Sequence, residues 1–255
     1  MKRKIKKWSL RLAATLLLIA GLLVVIVLNP ILTYANSTTY GNYKIFHTEA
    51  FDTALTIRLD EASELLKKSE IYNAKLKIDI CLNDGSKYPT LIKKLRGQAF
   101  AWGFYNKVVL QGKANYKDNY VELNGYRWNL TQLLTHEIVH CLQYRKLGFW
   151  KSNPIGKIPS WKWEGYPEYV ARQNIGQKNL LQNIAHLIEV EKKDINGWSI
   201  PFSDSTIAPK EYYHYWLLLQ YCLDIKKMTY EQVLKDTTKE KVIQGQMMNW
   251  YNEQN

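Results

Sequence analysis

Two histidines four residues apart bracket a glutamate in the run His136-Glu137-Ile138-Val139-His140. On a helix, positions i and i+4 lie one above the other, so both imidazoles can reach one metal ion. Glu137 would sit beside that ion without ligating it, placed to take a proton from an activated water. The chemistry of such a group is hydrolysis with Zn2+ as the cofactor. The competing reading is a surface helix that carries these residues by coincidence. The flanks favour the metal: Leu130, Leu133, Leu134, Ile138 and Cys141 recur at helical spacing behind a candidate N-cap, Asn129. The spacing predicts a half-apolar helix over 130–145 that stops near Gly148.

A catalytic zinc needs a third protein ligand and an open position. Two carboxylates are candidates, Glu164 and Glu168, within Trp163-Glu164-Gly165-Tyr166-Pro167-Glu168-Tyr169. Four residues apart, they share a helical face. Pro167 belongs near a helix start, which places Glu164 in or just before the first turn.

The HEIVH motif followed by W-x-E-G-x-x-E-Y resembles the gluzincin zinc peptidases, in particular their small peptidase MA-like members. The resemblance covers roughly residues 43–251 and differs at Pro167, where many relatives have a plain helix former. It implies that His136, His140 and Glu164 are the ligands, with Glu137 as the base. Glu168 would then sit behind a ligand histidine, accept its hydrogen bond and fix its tautomer. A small residue at Gly165 would let the backbone approach the metal helix. The run from Glu211 to Tyr221 is similar, more loosely, to a helix that supplies an oxyanion-stabilising group in these proteins. Tyr212 is the first candidate for that role and His214 the second. With 18 Tyr and 9 Trp in the chain, packing is the competing role for both.

The amino terminus bears on location. Lys2, Arg3, Lys4, Lys6, Lys7 and Arg11 precede 17 uncharged residues, 12–28, and the apolar stretch extends through 32. This reads as a basic cytoplasmic tail over 1–11 and a transmembrane anchor over 12–32. A polar linker over 33–42 would follow, then an extracytoplasmic domain over 43–255. A cleaved signal peptide is the rival, but Thr33-Tyr34-Ala35 is a poor cleavage site. The expected location is the cell membrane, single-pass, with the amino terminus inside. Without the six basic residues of the tail, the net charge of +12 falls to +6. That remainder has no arginine-rich run, so nucleic acid is not an expected partner. Cys81, Cys141 and Cys222 read as small buried hydrophobes and not as a disulfide framework.

The domain reads as α+β. Residues 43–128 would form an α/β part with a small mixed sheet: strands near 43–46, 74–82, 99–104, 107–111 and 119–123, helices over 53–69 and 88–95. Residues 129–255 would be mainly helical. Either 99–104 or 107–111 would edge the cleft and pair with an extended peptide. The expected function is zinc-dependent hydrolysis of a peptide or protein substrate. The alternatives are a catalytically silent zinc domain that binds peptide or envelope material, and a zinc hydrolase of a non-peptide amide.

Overall fold

The computed structural model describes residues 2–254. The side chains of residues 2–6, 9, 10 and 175 lie outside that description, and with them the charges expected of Lys2, Arg3, Lys4 and Lys6. The elements in chain order are α1 (Lys2–Leu28), β1 (Asn36–Tyr40), β2 (Tyr43–His47), α2 (Ala54–Leu66), β3 (Ile78–Cys81) and α3 (Tyr88–Arg96). Next come β4 (Ala101–Phe104), β5 (Lys107–Leu110), β6 (Lys113–Asn115), β7 (Tyr120–Leu123), β8 (Tyr126–Asn129) and α4 (Leu130–Leu147). The remainder is α5 (Ser160–Trp163), α6 (Gly165–Ala171), α7 (Leu180–Lys193), β9 (Ser199–Pro201), β10 (Ile207–Pro209), α8 (Lys210–Gln220), α9 (Tyr230–Lys235) and α10 (Glu240–Gln254).

The architecture is mixed α/β. Five strands form a mixed sheet in the order β1-β2-β3-β5-β4. β2, β3 and β5 run parallel, and antiparallel β1 and β4 close the two edges. Successive residues point to opposite faces of a strand. Ile45, Ile80 and Val108 therefore face one core, shared with α2 and α4. Phe46, Cys81 and Val109 face a second core, shared with Tyr88 and Ile92 of α3. Burial on both faces explains why these strands carry apolar runs and not a clean alternation.

Three expectations need correction. The polar linker over 33–42 is largely β1, hydrogen-bonded along β2 from Asn36 opposite His47 to Tyr40 opposite Tyr43. Its polar residues suit an edge strand, exposed on one side. The apolar stretch through residue 32 is not one helix, because α1 ends at Leu28 and Pro30–Leu32 forms a separate turn. Proline cannot continue the i to i−4 ladder. The mainly helical part from 129 on also contains the β9–β10 hairpin. All three cysteines are buried and free, as their apolar contexts suggest.

Candidate metal centre

α4 is enclosed on every side: each residue from Leu130 to Tyr144 is buried. It is the central helix of the domain, buried well beyond the half-apolar face its periodicity suggests. Asn129 caps it by accepting from the Gln132 N–H at 3.1 Å, and Gly148, at φ 80°, ends it. Strand β8 runs straight into α4, and β10 runs straight into α8. Two strand-to-helix junctions thus set the elements that carry the site.

His136 Nε2, His140 Nε2 and Glu164 Oε2 form a tight triangle with sides of 3.1, 3.1 and 3.4 Å. Tetrahedral ligands at about 2.0–2.1 Å from a zinc ion lie about 3.4 Å from one another. This buried His/His/Glu group can hold a metal ion. The other ring nitrogens are already engaged. His136 Nδ1 donates to Glu168 Oε1 at 2.9 Å, and His140 Nδ1 donates to the Gln143 amide oxygen at 2.7 Å. With each Nδ1 proton committed, both Nε2 atoms face the shared point, where a bound ion would displace any proton they carry.

Those supports are themselves held. Glu168 Oε2 accepts from Arg172 Nε at 2.6 Å, and Arg172 also donates to Gln132 at 3.1 Å. Gln143 donates to the Trp163 carbonyl at 3.0 Å and to the Tyr230 hydroxyl at 2.8 Å. Burial alone would raise the Glu168 carboxyl, but the Arg172 guanidinium and His136 outweigh it and hold Glu168 ionised. Burial opposes charging His136, yet the Glu164 and Glu168 carboxylates raise it to about 10. Glu164 is driven low by the two histidines in spite of burial. With Glu168 paired to Arg172, Glu137 and Glu164 remain as two carboxylates beside two imidazoles, a set suited to a divalent cation.

Glu137 is buried, and burial raises its carboxyl above the usual range. The backbone N–H of Gly103 in β4 bonds to it and works in the opposite direction. A Cβ on Gly103 would stand 2.3 Å from the Glu137 carbonyl oxygen, so β4 lies against α4 only because glycine occupies this position. β4 is the sheet edge that borders the site: of the two candidate strands, 99–104 has the free edge and 107–111 is interior.

A narrow cavity of about 70 Å3 opens over the three ligand atoms, bordered by Phe100, Trp102, Trp128, Trp163, Tyr212 and Arg96. Tyr212 stacks on the His136 ring, 5.7 Å between centroids and 9° between planes. Burial and the surrounding carboxylates raise its phenol, so it stays protonated at neutral pH. His214 is placed elsewhere, 3.2 Å from Glu191 of α7. The two oxyanion candidates therefore separate, and only Tyr212 borders the cavity.

Gly165 is needed for a second contact as well. Its tightest approach is to α8, where a Cβ would meet the Tyr215 carbonyl oxygen at 2.5 Å. Four contributors escaped the sequence reading: Gln143, Arg172, Gly103 and Trp128. The first two stood at helical spacing from His140 and Glu168, so their spacing was a usable signal. Trp128 packs edge-on to His136 at 6.1 Å, and its indole N–H is buried without an acceptor. Its role depends on how β8 meets the sheet, which no local pattern encodes. In comparisons with known proteins, no family model and no curated protein matches the chain.

Proposed function

We propose that this chain is a zinc-dependent metallopeptidase of the gluzincin type, anchored in the cell membrane by α1. The observation that carries the reading is the His136–His140–Glu164 triangle with Glu137 buried beside it. A structural zinc site has no use for a base and fills its fourth position with protein.

His136, His140 and Glu164 would hold the ion, and Glu168 and Gln143 would orient the two imidazoles. The ion, when bound, supplies a Lewis acid that polarises a carbonyl and lowers the pKa of water toward about 7. Glu137 takes the proton from the attacking water and delivers it to the leaving amine. Its raised pKa brings it nearer the range in which one carboxyl can do both. Tyr212, kept protonated by burial, donates toward the oxygen that gains charge. The free edge of β4 lets an extended substrate add as a strand alongside Ala101–Phe104. For the cavity's small volume, an extended backbone crossing it is a better fit than a compact ligand.

The anchor part of the proposal rests on residues Arg11–Leu28, an 18-residue window of mean hydropathy 2.7 with no side chain buried in the protein. The basic residues before it favour an inside amino terminus. Protease added to intact cells should then digest the region after Asn36. Protection of that region until lysis would reverse the topology.

The activity is tested by digesting a mixed peptide library with the full chain in detergent, with and without a chelator. Chelator-sensitive cleavage is the expected result. A chain that binds zinc but cleaves no peptide or amide would instead be a silent zinc-containing binding domain.

A further inference from the structure

Between the apolar window of α1 and the folded domain there is no free linker. The Tyr88 hydroxyl of α3 donates to the carbonyl of Val27, in the last turn of α1, at 2.6 Å. Val27 also packs on the second core, beside Tyr34, Phe46 and Tyr88. Just beyond, Ser86 donates to the Thr33 carbonyl at 2.9 Å, and Tyr34 donates to the Leu82 carbonyl at 2.7 Å. Pro30 is buried in the intervening turn. The helix end is thus part of the domain's packing.

The sheet topology fixes where α3 lies. β3 delivers the chain at Leu82, and β4 begins at Ala101, opposite Leu110 at the end of β5. β3 and β5 are parallel, so both points are at the same end of the sheet. The connection that holds α3 therefore starts and finishes at that end, with α3 packed there on the second face of the sheet. This is also the end to which Tyr34 and Tyr88 bind the α1 terminus.

The outward surface there has a lipid-facing composition. Ile31 and Leu32 are more than half exposed, and Leu95 is 48% exposed. Lys87, Lys93 and Lys94 are exposed on the same short element, and none has an acidic partner among the described residues. Lys93 and Lys94 could merely complement the carboxyl end of the helix dipole. Lys87 stands at the opposite, amino end, where the dipole disfavours a cation, so the dipole does not account for all three. Exposed apolar residues and lysines beside the end of a membrane helix are the pattern of an interfacial element.

We propose that α3 and the turn Pro30–Leu32 rest on anionic lipid headgroups, holding the rim of the metal cleft at the bilayer surface. The inference rests on the reading of α1 as a membrane anchor. α3 spans about 12 Å from Tyr88 to Arg96. At its far end the Arg96 guanidinium lies over the rings of Trp102 and Phe104, at 4.5 and 5.4 Å. Arg96 and Trp102 border the same cavity as Glu137 and His140. The cleft mouth is therefore one short helix away from lipid. The substrate such a geometry serves is a peptide segment tethered to, or emerging from, the same membrane.

Single cysteines at Leu17, Leu95 and Lys77 carry a nitroxide in the full chain, in nanodiscs of phosphatidylcholine and phosphatidylglycerol. The native cysteines are buried. Leu17 lies within the apolar window, and Lys77 marks the end of β3 away from α3. Spin relaxation by dissolved oxygen and by a water-soluble nickel chelate reports depth. The expected result is a label at 95 that is several-fold less accessible to nickel than the one at 77, and intermediate between 77 and 17. Equal nickel access at 95 and 77, with 17 in hydrocarbon, would overturn the proposal and leave the anchor standing. A label at 17 that is itself aqueous would remove the anchor reading and this inference with it. Neither outcome depends on metal or on hydrolysis.

Discussion

The rings of His136 and His140 are aimed at one point by atoms that would not touch an ion bound there. Glu168 and Gln143 accept the two Nδ1 protons, and Arg172 and Tyr230 hold those acceptors in turn. Metal analysis of variants tests each part. Glu164→Ala should leave less than stoichiometric zinc, since one corner of the triangle is gone. Glu168→Ala is a poor probe alone, because it leaves the buried Arg172 unpaired at a cost of about 3–5 kcal/mol. Glu168→Gln keeps the shape and an acceptor, and should weaken zinc affinity by about 10–100-fold while the site still fills at high zinc. Full zinc in Glu164→Ala with none in the Glu168 variant would mean that the two carboxylates have exchanged roles. Trp128→Phe removes a buried N–H that has no acceptor. It should leave the melting temperature unchanged or higher, because an unpaired buried donor costs about 1–3 kcal/mol. His136, Glu137 and His140 were legible in the sequence because helical spacing brings the two imidazoles to one face, whereas Glu164 and Glu168 were parted only by the resemblance. Tyr212 was readable only as one candidate of two: positions two apart lie on nearly opposite faces of a helix, so one of the pair had to point away, and the His214 contact with Glu191 of α7 shows which.

Among the elements, β4 and α4 determine how Glu137 is presented. Gly103 allows the strand to lie on the helix, and the strand supplies an N–H to the Glu137 carboxylate. Gly103→Ala puts a methyl 2.3 Å from the Glu137 carbonyl oxygen, so strand or helix must shift. The expected cost is about 1–3 kcal/mol of stability, with hydrolysis falling further than zinc content does. Thermal melting together with metal analysis separates the two effects. Unchanged stability and activity would mean that β4 is not pinned there. The elements legible in the sequence were those with strong local signals: α4 with its cap and terminal glycine, α2, α3 and the apolar strands. β1 was not, since Asn36, Ser37, Thr38 and Thr39 lack strand hydrophobicity and pair only because β2 offers an open edge. β6, β9 and β10 are three residues long, too short for a period-two pattern to stand out, and β8, Tyr-Arg-Trp-Asn, lacks the apolar run of β5.

At the scale of the whole molecule, metal and fold should be coupled. The site joins α4 to the start of α6, and α6 packs on α8, so an ion bound there ties the mainly helical half together. Free zinc at about a thousand times Kd would add about 4 kcal/mol. For a domain of this size that is a rise in melting temperature on the order of 10 °C. A chelator should reverse it, and Glu164→Ala should melt at one temperature with or without zinc. Differential scanning calorimetry of the two proteins reads this directly. The order of sheet and helices was legible from alternating patterns, and the buried character of α4 was not. A helix enclosed on every side shows little amphipathic period, and enclosure is a property of its neighbours.

If Glu137 is a base beside a metal that it does not ligate, its loss should separate metal binding from hydrolysis. The most direct test is zinc content and peptide hydrolysis measured on the same preparations of wild type and Glu137→Gln. About one zinc per chain is expected in both, with turnover at least ~10²-fold lower in the variant. Hydrolysis at the wild-type rate by Glu137→Gln, or loss of zinc from it, would rule out a non-ligating base at this position.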